Sequence, residues 1–127
     1  RAADSADVAL VYYAGHGMEI AGKNIRLRDG SLHATQAACP HAGVVNVLTD
    51  ARSVFGDVPV YGVMGGFHLS GPEVESVIPD TVRDLGGFAL KRIVPCHCTG
   101  WRAVHALAQV YSDDVLVPAA VGRQFRF

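Results

Sequence analysis

His41, His68 and His97 are the residues of this 127-residue chain whose types and placement point most directly to chemistry. His41 lies in "CPHAG", ahead of a helical pattern. His68 follows the apolar stretch "VPVYGVM", and His97 follows "RIVP". Strand ends on one edge of an α/β sheet are where ligands collect, because loops converge there while the sheet fixes their origins. Three imidazoles on one rim form a candidate metal set, since three neutral protein ligands plus water make a catalytic zinc site that keeps the full charge of the ion. Such an ion lowers the pKa of its water to about 7 and polarises a phosphoryl or acyl oxygen, so the expected chemistry is hydrolysis. One or two zinc ions are expected, other divalent metals being possible. Cys98, beside His97, is the second-choice ligand. His16, flanked by glycines in "YYAGHG", is a further ligand or acid–base candidate, or a plain turn residue.

Around these lie residues that could contact a substrate. Helices are expected to open at Gly43 and Gly100, and free N–H groups at a helix start favour an anionic or phosphoryl ligand. Thr99 and Arg102 flank the second start, Thr99 as an N-terminal cap and Arg102 as either a phosphate contact or a solvated side chain. Phe67 and Trp101 either shape an apolar pocket near the metal or belong to the core. Each remaining candidate has a bland reading. His33 sits in an expected hairpin, His105 on a helix surface, and Asp29 and Asp50 have turn and helix-face explanations. Cys96 is read as a small buried hydrophobe.

The elements that must position these groups follow from periodicity. "DVALVYYA" (7–14) is unbroken, β-branched and aromatic, as in a buried strand. Asp29-Gly30 signals a hairpin within a small antiparallel meander. From Gly43, the residues Val44, Val47, Leu48, Ala51 and Val54-Phe55 share one helix face that stops at Gly56. Val58 to Met64 returns to strand. Glu73 to Leu85 is a second amphipathic helix, in which Pro79 marks a kink or a later start. Arg92 to Pro95 is a strand and Gly100 to Tyr111 a third helix, with closing strands expected at Val115–Val117 and Gln124–Phe127. The alternation α-β-α-β-α-β defines an α/β unit, a mixed sheet with helices over one face.

The totals fit one domain over 1–127. Half the residues are hydrophobic and the formal charge is −1, which gives no electrostatic case for nucleic acid or anionic membrane. No apolar run approaches the roughly 20 residues of a membrane span. The three cysteines do not make a disulfide framework, and the odd count fits a reducing, cytoplasmic setting.

Four motifs in order carry a resemblance: "CPHAGVVN" (39–46), "GVMGGFHLSG" (62–71), "RIVPCHCTGWRAVHAL" (92–107) and "VPAAVGRQFRF" (117–127). Residues from about 25 to 127 resemble the C-terminal half of a metallo-β-lactamase superfamily protein, in the dihydropterin-type or phosphohydrolase-like branch. The resemblance implies that His41 and His97 are metal ligands, and that His68 stands about where other members place a metal-bridging acid. It also implies an αβ/βα sandwich of which this chain holds one half, without the HxHxDH signature of the other. The expected activity is a zinc-dependent hydrolase acting on small phosphoesters (mono-, di- or triesters). An isolated half is expected to expose a sheet face carrying Val58, Val60 and Ile93, and a homodimer packing sheet to sheet is the expected cover. Residues 1 to about 24 resemble instead the catalytic-histidine segment of caspase-like and metacaspase-like peptidases, as a fused strand segment. No cysteine of the chain stands in that family's context, so a thiol nucleophile lacks its partner and cysteine peptidase activity is not expected. Two alternatives stay open: a non-catalytic metal-binding or interaction module, and a gene-fusion fragment that folds only with a partner.

Overall fold

The computed structural model describes residues 9–13, 24–26, 32–34, 43–56 and 59–125. Three parallel strands carry the architecture: β1 (Ala9–Tyr13), β4 (Val60–Gly65) and β5 (Arg92–Pro95), in the order β1-β4-β5. β2 (Asn24–Arg26) and β3 (Leu32–Ala34) form a separate antiparallel pair, joined through the segment that holds Asp29-Gly30. Among the described residues the main sheet is therefore parallel, with antiparallel pairing only in this ribbon. The strand expected at 7–14 becomes an edge of the main sheet, with Leu10 opposite Gly62 and Tyr13 opposite Gly65.

Helix α1 (Val44–Phe55) runs between Gly43 and Gly56, as the period of its apolar residues requires, and buries Val44, Val47 and Leu48. The second helix begins later than Glu73. A 3₁₀ turn over Glu75–Val77 leads into α2 (Ile78–Leu85), and Pro79 occupies the first turn, where its missing N–H costs nothing. Ile78, Val82 and Leu85 line its buried face at i, i+4 and i+7. Helix α3 (Trp101–Ala108) buries Ala103 and Leu107 and stops short of Tyr111.

Two of the residues expected on the sheet face that needs a partner, Val60 and Ile93, lie on the helix-covered face instead. Val60, Val63 and Ile93 are buried in one cluster with Leu48, Val82, Leu85 and Leu107, drawn from α1, α2 and α3. Each such side chain contributes about 1.5–3 kcal/mol. Val60 and Val63 reach the same cluster despite their odd spacing because the β1–β4 register shifts. Ala9 pairs with Val60 but Leu10 with Gly62, leaving Tyr61 as an extra residue that resets the alternation. Val58 lies outside the described residues.

The C-terminal segment also differs from expectation. Val115–Val117 makes one parallel bridge, Leu116 against Ile93, fixed by Ile93 N–H to the Val115 carbonyl (2.7 Å) and Val117 N–H to the Ile93 carbonyl (2.9 Å). Ala119 N–H reaches the Pro95 carbonyl at 3.2 Å, but Pro95 has no N–H to return a bond, so the ladder stays short. Gln124 and Phe125 form no strand. No helix among the described residues is long and apolar enough to cross a membrane.

Candidate functional site

β4 and β5 end side by side, Gly65 opposite Pro95, so the chain leaves both strands at one edge of the sheet. The two exits, residues 66–71 and 96–100, are then laced together. Cys96 N–H donates to the Gly65 carbonyl at 2.8 Å. Phe67 N–H donates to Thr99 Oγ1 at 3.2 Å, and Leu69 N–H donates to the Cys98 carbonyl at 3.1 Å. The last two bonds bracket His68. The predicted convergence of the His68 and His97 turns is thus a backbone fact, secured on both sides of the histidine.

Gly66 is the floor of this arrangement. A Cβ there would stand 2.5 Å from the His97 carbonyl oxygen, 2.6 Å from Cys98 Sγ and 3.2 Å from His97 Nε2. The imidazole nitrogen and the thiol therefore lie over one point, and only a glycine leaves room beneath them. His68 and Cys98 both adopt left-handed backbone, at φ 53° and 54°. That conformation costs a side-chain-bearing residue about 1–2 kcal/mol and persists where surrounding structure over-determines it, as the lacing does here.

Exposure separates the candidates. His97 is exposed, and His68 and Cys98 are half-buried. Cys96 differs from Cys98: burial, with a smaller contribution from Cys98, pushes its thiol above the ordinary range against the lowering effect of a hydrogen bond with the Gly65 backbone. Its Sγ–H is directed at the Val94 carbonyl, 3.6 Å away. The thiol form is favoured, in keeping with the bland reading of Cys96.

Three residues expected at the substrate side take other roles. Thr99 is fully buried and is not the cap of α3, whose N-cap is Gly100 with no side-chain bond. Its hydroxyl faces inward and holds the Phe67 amide because Gly100, at φ 81°, turns the chain into the helix one residue later. Phe67 is fully buried in the core cluster, so it lines no accessible pocket. Arg102 is not simply solvated: Nη1 donates to Glu75 Oε2 at 2.9 Å, and its guanidinium lies 5.5 Å from the Trp101 ring centroid. Trp101 itself is 74% exposed.

His105 is on the exposed side of α3, Asp50 is exposed on α1, and His33 lies in β3. His41, His16, Cys39 and Asp29 lie outside the described residues. Gly66 and Glu75 were missed by sequence reasoning. The Gly65-Gly66 doublet after a strand is the one signal that could have flagged the first. Among the described residues no three His, Cys, Asp or Glu side chains are grouped to hold a metal ion. The nitrogen and sulfur donors over Gly66 suit a borderline-soft ion such as zinc, so the described residues fit a metal as part of a site. A cleft of about 290 Å³ lies away from this edge, lined by Arg92 at the opposite end of β5 with Asp113, Asp114, Arg123 and Phe125.

With the geometry in place, its likeness to known proteins can be stated. The fold is α/β with a small parallel sheet and helices, and it matches half of a metallo-β-lactamase sandwich. A solved crystal structure of a metal-dependent hydrolase of the β-lactamase superfamily superposes with a TM-score of 0.59 and 30% identity, over 70% of this chain and 34% of that one. In sequence, the chain is 31% identical over 78 residues to the 7,8-dihydropterin-6-methyl-4-(β-D-ribofuranosyl)-aminobenzene-5′-phosphate synthase of Methanocaldococcus jannaschii. It is 33% identical over 72 residues to an uncharacterised protein of the same organism. These matches cover 61% and 57% of this chain and 26% of either relative, so the chain spans about a quarter of the curated relatives' length. No family model matches the chain. The comparisons support the metallo-β-lactamase reading and give none to the caspase-like reading of residues 1–24.

Proposed function

We propose that this chain is a metal-dependent hydrolase acting on phosphoesters, with zinc as the metal and His41, His68, His97 and Cys98 as the candidate ligands. The observation that carries the reading is the laced pair of loops at the edge of the parallel sheet, where His97 Nε2 and Cys98 Sγ share the space over Gly66. A bound divalent ion would supply Lewis acidity and an acidified water. The residues of the chain supply the rest. The lacing holds the His68 turn against the His97 turn, and Gly66 keeps the floor open. The first amides of α3 point their N–H groups toward the same edge, where a phosphoryl oxygen would accept them. His41, just ahead of α1, would complete the donor set. The 5′-phosphate in the name of the M. jannaschii relative and the β-lactamase-superfamily hydrolase fold both favour this class of substrate.

A second reading is a metal-binding module without turnover, in which the donors over Gly66 hold an ion that does no chemistry. One experiment separates them. Purified protein is loaded with zinc, its metal content is measured by mass spectrometry, and phosphomono-, di- and triesters are offered, with His41→Ala and His97→Ala in parallel. About one ion per chain and turnover, both lost in the variants, supports the hydrolase. Metal without turnover supports the module, and a folded protein that takes up no metal refutes both. Light scattering on the same sample tests the expected homodimer.

A further inference from the structure

Trp101 is the sole tryptophan of the chain, and it is 74% exposed although tryptophan is highly buried on average. It opens α3 immediately after the His97–Gly100 turn. Its neighbour Arg102 places its guanidinium 5.5 Å from the ring centroid, within cation–π range. Arg102 is in turn held by Glu75, whose Oε2 accepts from Arg102 Nη1 at 2.9 Å while its Oε1 accepts from Gly71 N–H at 3.4 Å. Gly71 closes the loop that carries His68, and Ser70 of that loop packs against Gly100, where an added Cβ would meet it at 2.9 Å. Glu75 therefore ties the His68 loop, Arg102 and the start of α3 into one unit.

From this arrangement we infer that Trp101 is a stacking platform for the ring of an aryl ester, so that the favoured substrates at the candidate metal site are phosphoesters with an aromatic leaving group. The inference rests on the reading of that site as a phosphoesterase. An indole presents two faces. Arg102, anchored through Glu75, stays near the ring and limits its rotamers, and the large exposed area leaves surface for a planar ligand. Stacking on an aromatic side chain accepts any flat π-system. A ring-bearing ester therefore binds about ten-fold more tightly than its alkyl counterpart, an order of magnitude set by typical stacking strengths.

Because Trp101 is the only indole, its fluorescence reads the platform without any turnover. Zinc-loaded full-length protein is titrated with phenyl phosphate and, separately, with methyl phosphate, and hydrolysis of both is followed in the same samples. Saturable quenching by phenyl phosphate at about a tenth of the concentration needed for any effect of methyl phosphate is expected, with the difference reduced in Arg102→Met and Glu75→Gln. Equal or absent responses to the two esters overturn the platform, whether or not either is hydrolysed. Quenching by the aryl ester without hydrolysis leaves the platform standing and counts against the phosphoesterase reading alone.

Discussion

The Thr99→Val substitution isolates what the lacing does. Valine keeps the shape of threonine, so packing at this fully buried position is preserved, but it removes the oxygen that accepts from Phe67 N–H. A buried amide then has no acceptor, and leaving such a group unsatisfied costs about 1–3 kcal/mol. Thr99→Ser keeps the oxygen and loses one methyl, about 1 kcal/mol. The two variants overlap in total stability, so global unfolding in urea cannot separate them alone. Hydrogen exchange at the Phe67 amide can. Thr99→Val is expected to lose protection there by roughly one order of magnitude or more, since 1.4 kcal/mol is a factor of ten, whereas Thr99→Ser retains it. If the lacing fixes His68, zinc affinity follows the amide: weakened in Thr99→Val, restored in Thr99→Ser. An unchanged Phe67 exchange rate in Thr99→Val, or equal zinc affinity in both variants, would refute the argument that this hydroxyl holds the two turns together.

Other substitutions test neighbouring features. Gly66→Ala would drive a Cβ to within 2.5 Å of the His97 carbonyl and 2.6 Å of Cys98 Sγ, so a fall in melting temperature together with lost zinc uptake is expected; a stable variant binding zinc normally would show that the floor is not needed. Ala89 holds left-handed backbone at φ 51° on the surface after a 3₁₀ turn, and Ala89→Gly should raise stability in urea by about 0.5–1 kcal/mol. Tyr111 donates its hydroxyl to the Val82 carbonyl at 3.1 Å, and burial raises its pKa. Because the folded chain favours the protonated phenol, that contribution is complete below the unfolded pKa near 10 and is lost as pH rises through the folded value. Tyr111→Phe should therefore be about 1 kcal/mol less stable at neutral pH, and the gap should close in denaturation curves taken at progressively alkaline pH.

Local chemistry was readable where local chemistry decides. Gly43 and Gly56 bound α1 where the apolar period stops, Pro79 delayed α2, and Asp29-Gly30 lies between two paired strands. The convergence of the His68 and His97 turns was readable too, because parallel strands must end at the same edge. What escaped depends on partners distant in the chain. Thr99 looked like a helix cap, but its hydroxyl answers an amide 32 residues away. Phe67, open between a pocket wall and the core, lies in the core; Arg102, open between a phosphate contact and a solvated side chain, pairs with Glu75, 27 residues back. Val60 and Ile93 were assigned to a bare sheet face, yet they pack beneath α1, α2 and α3. No short window of sequence contains both sides of such pairings, so no periodicity announces them.

The pairing of β1 with β4 has a bearing on how readily such a chain can be assembled from separate pieces. Residue 9 meets residue 60 across that pair, whereas residue 62 meets residue 92 across the other. The first connection is less than twice the length of the second, and doubling a loop adds only about 0.6 kcal/mol of closure entropy. That is smaller than the net worth of one ordinary hydrogen bond, and β1 gains a ladder of them. A strand recruited from far upstream can thus be grafted onto the edge of a sheet at almost no topological penalty, which makes strand addition at an edge one of the least demanding ways to enlarge a fold.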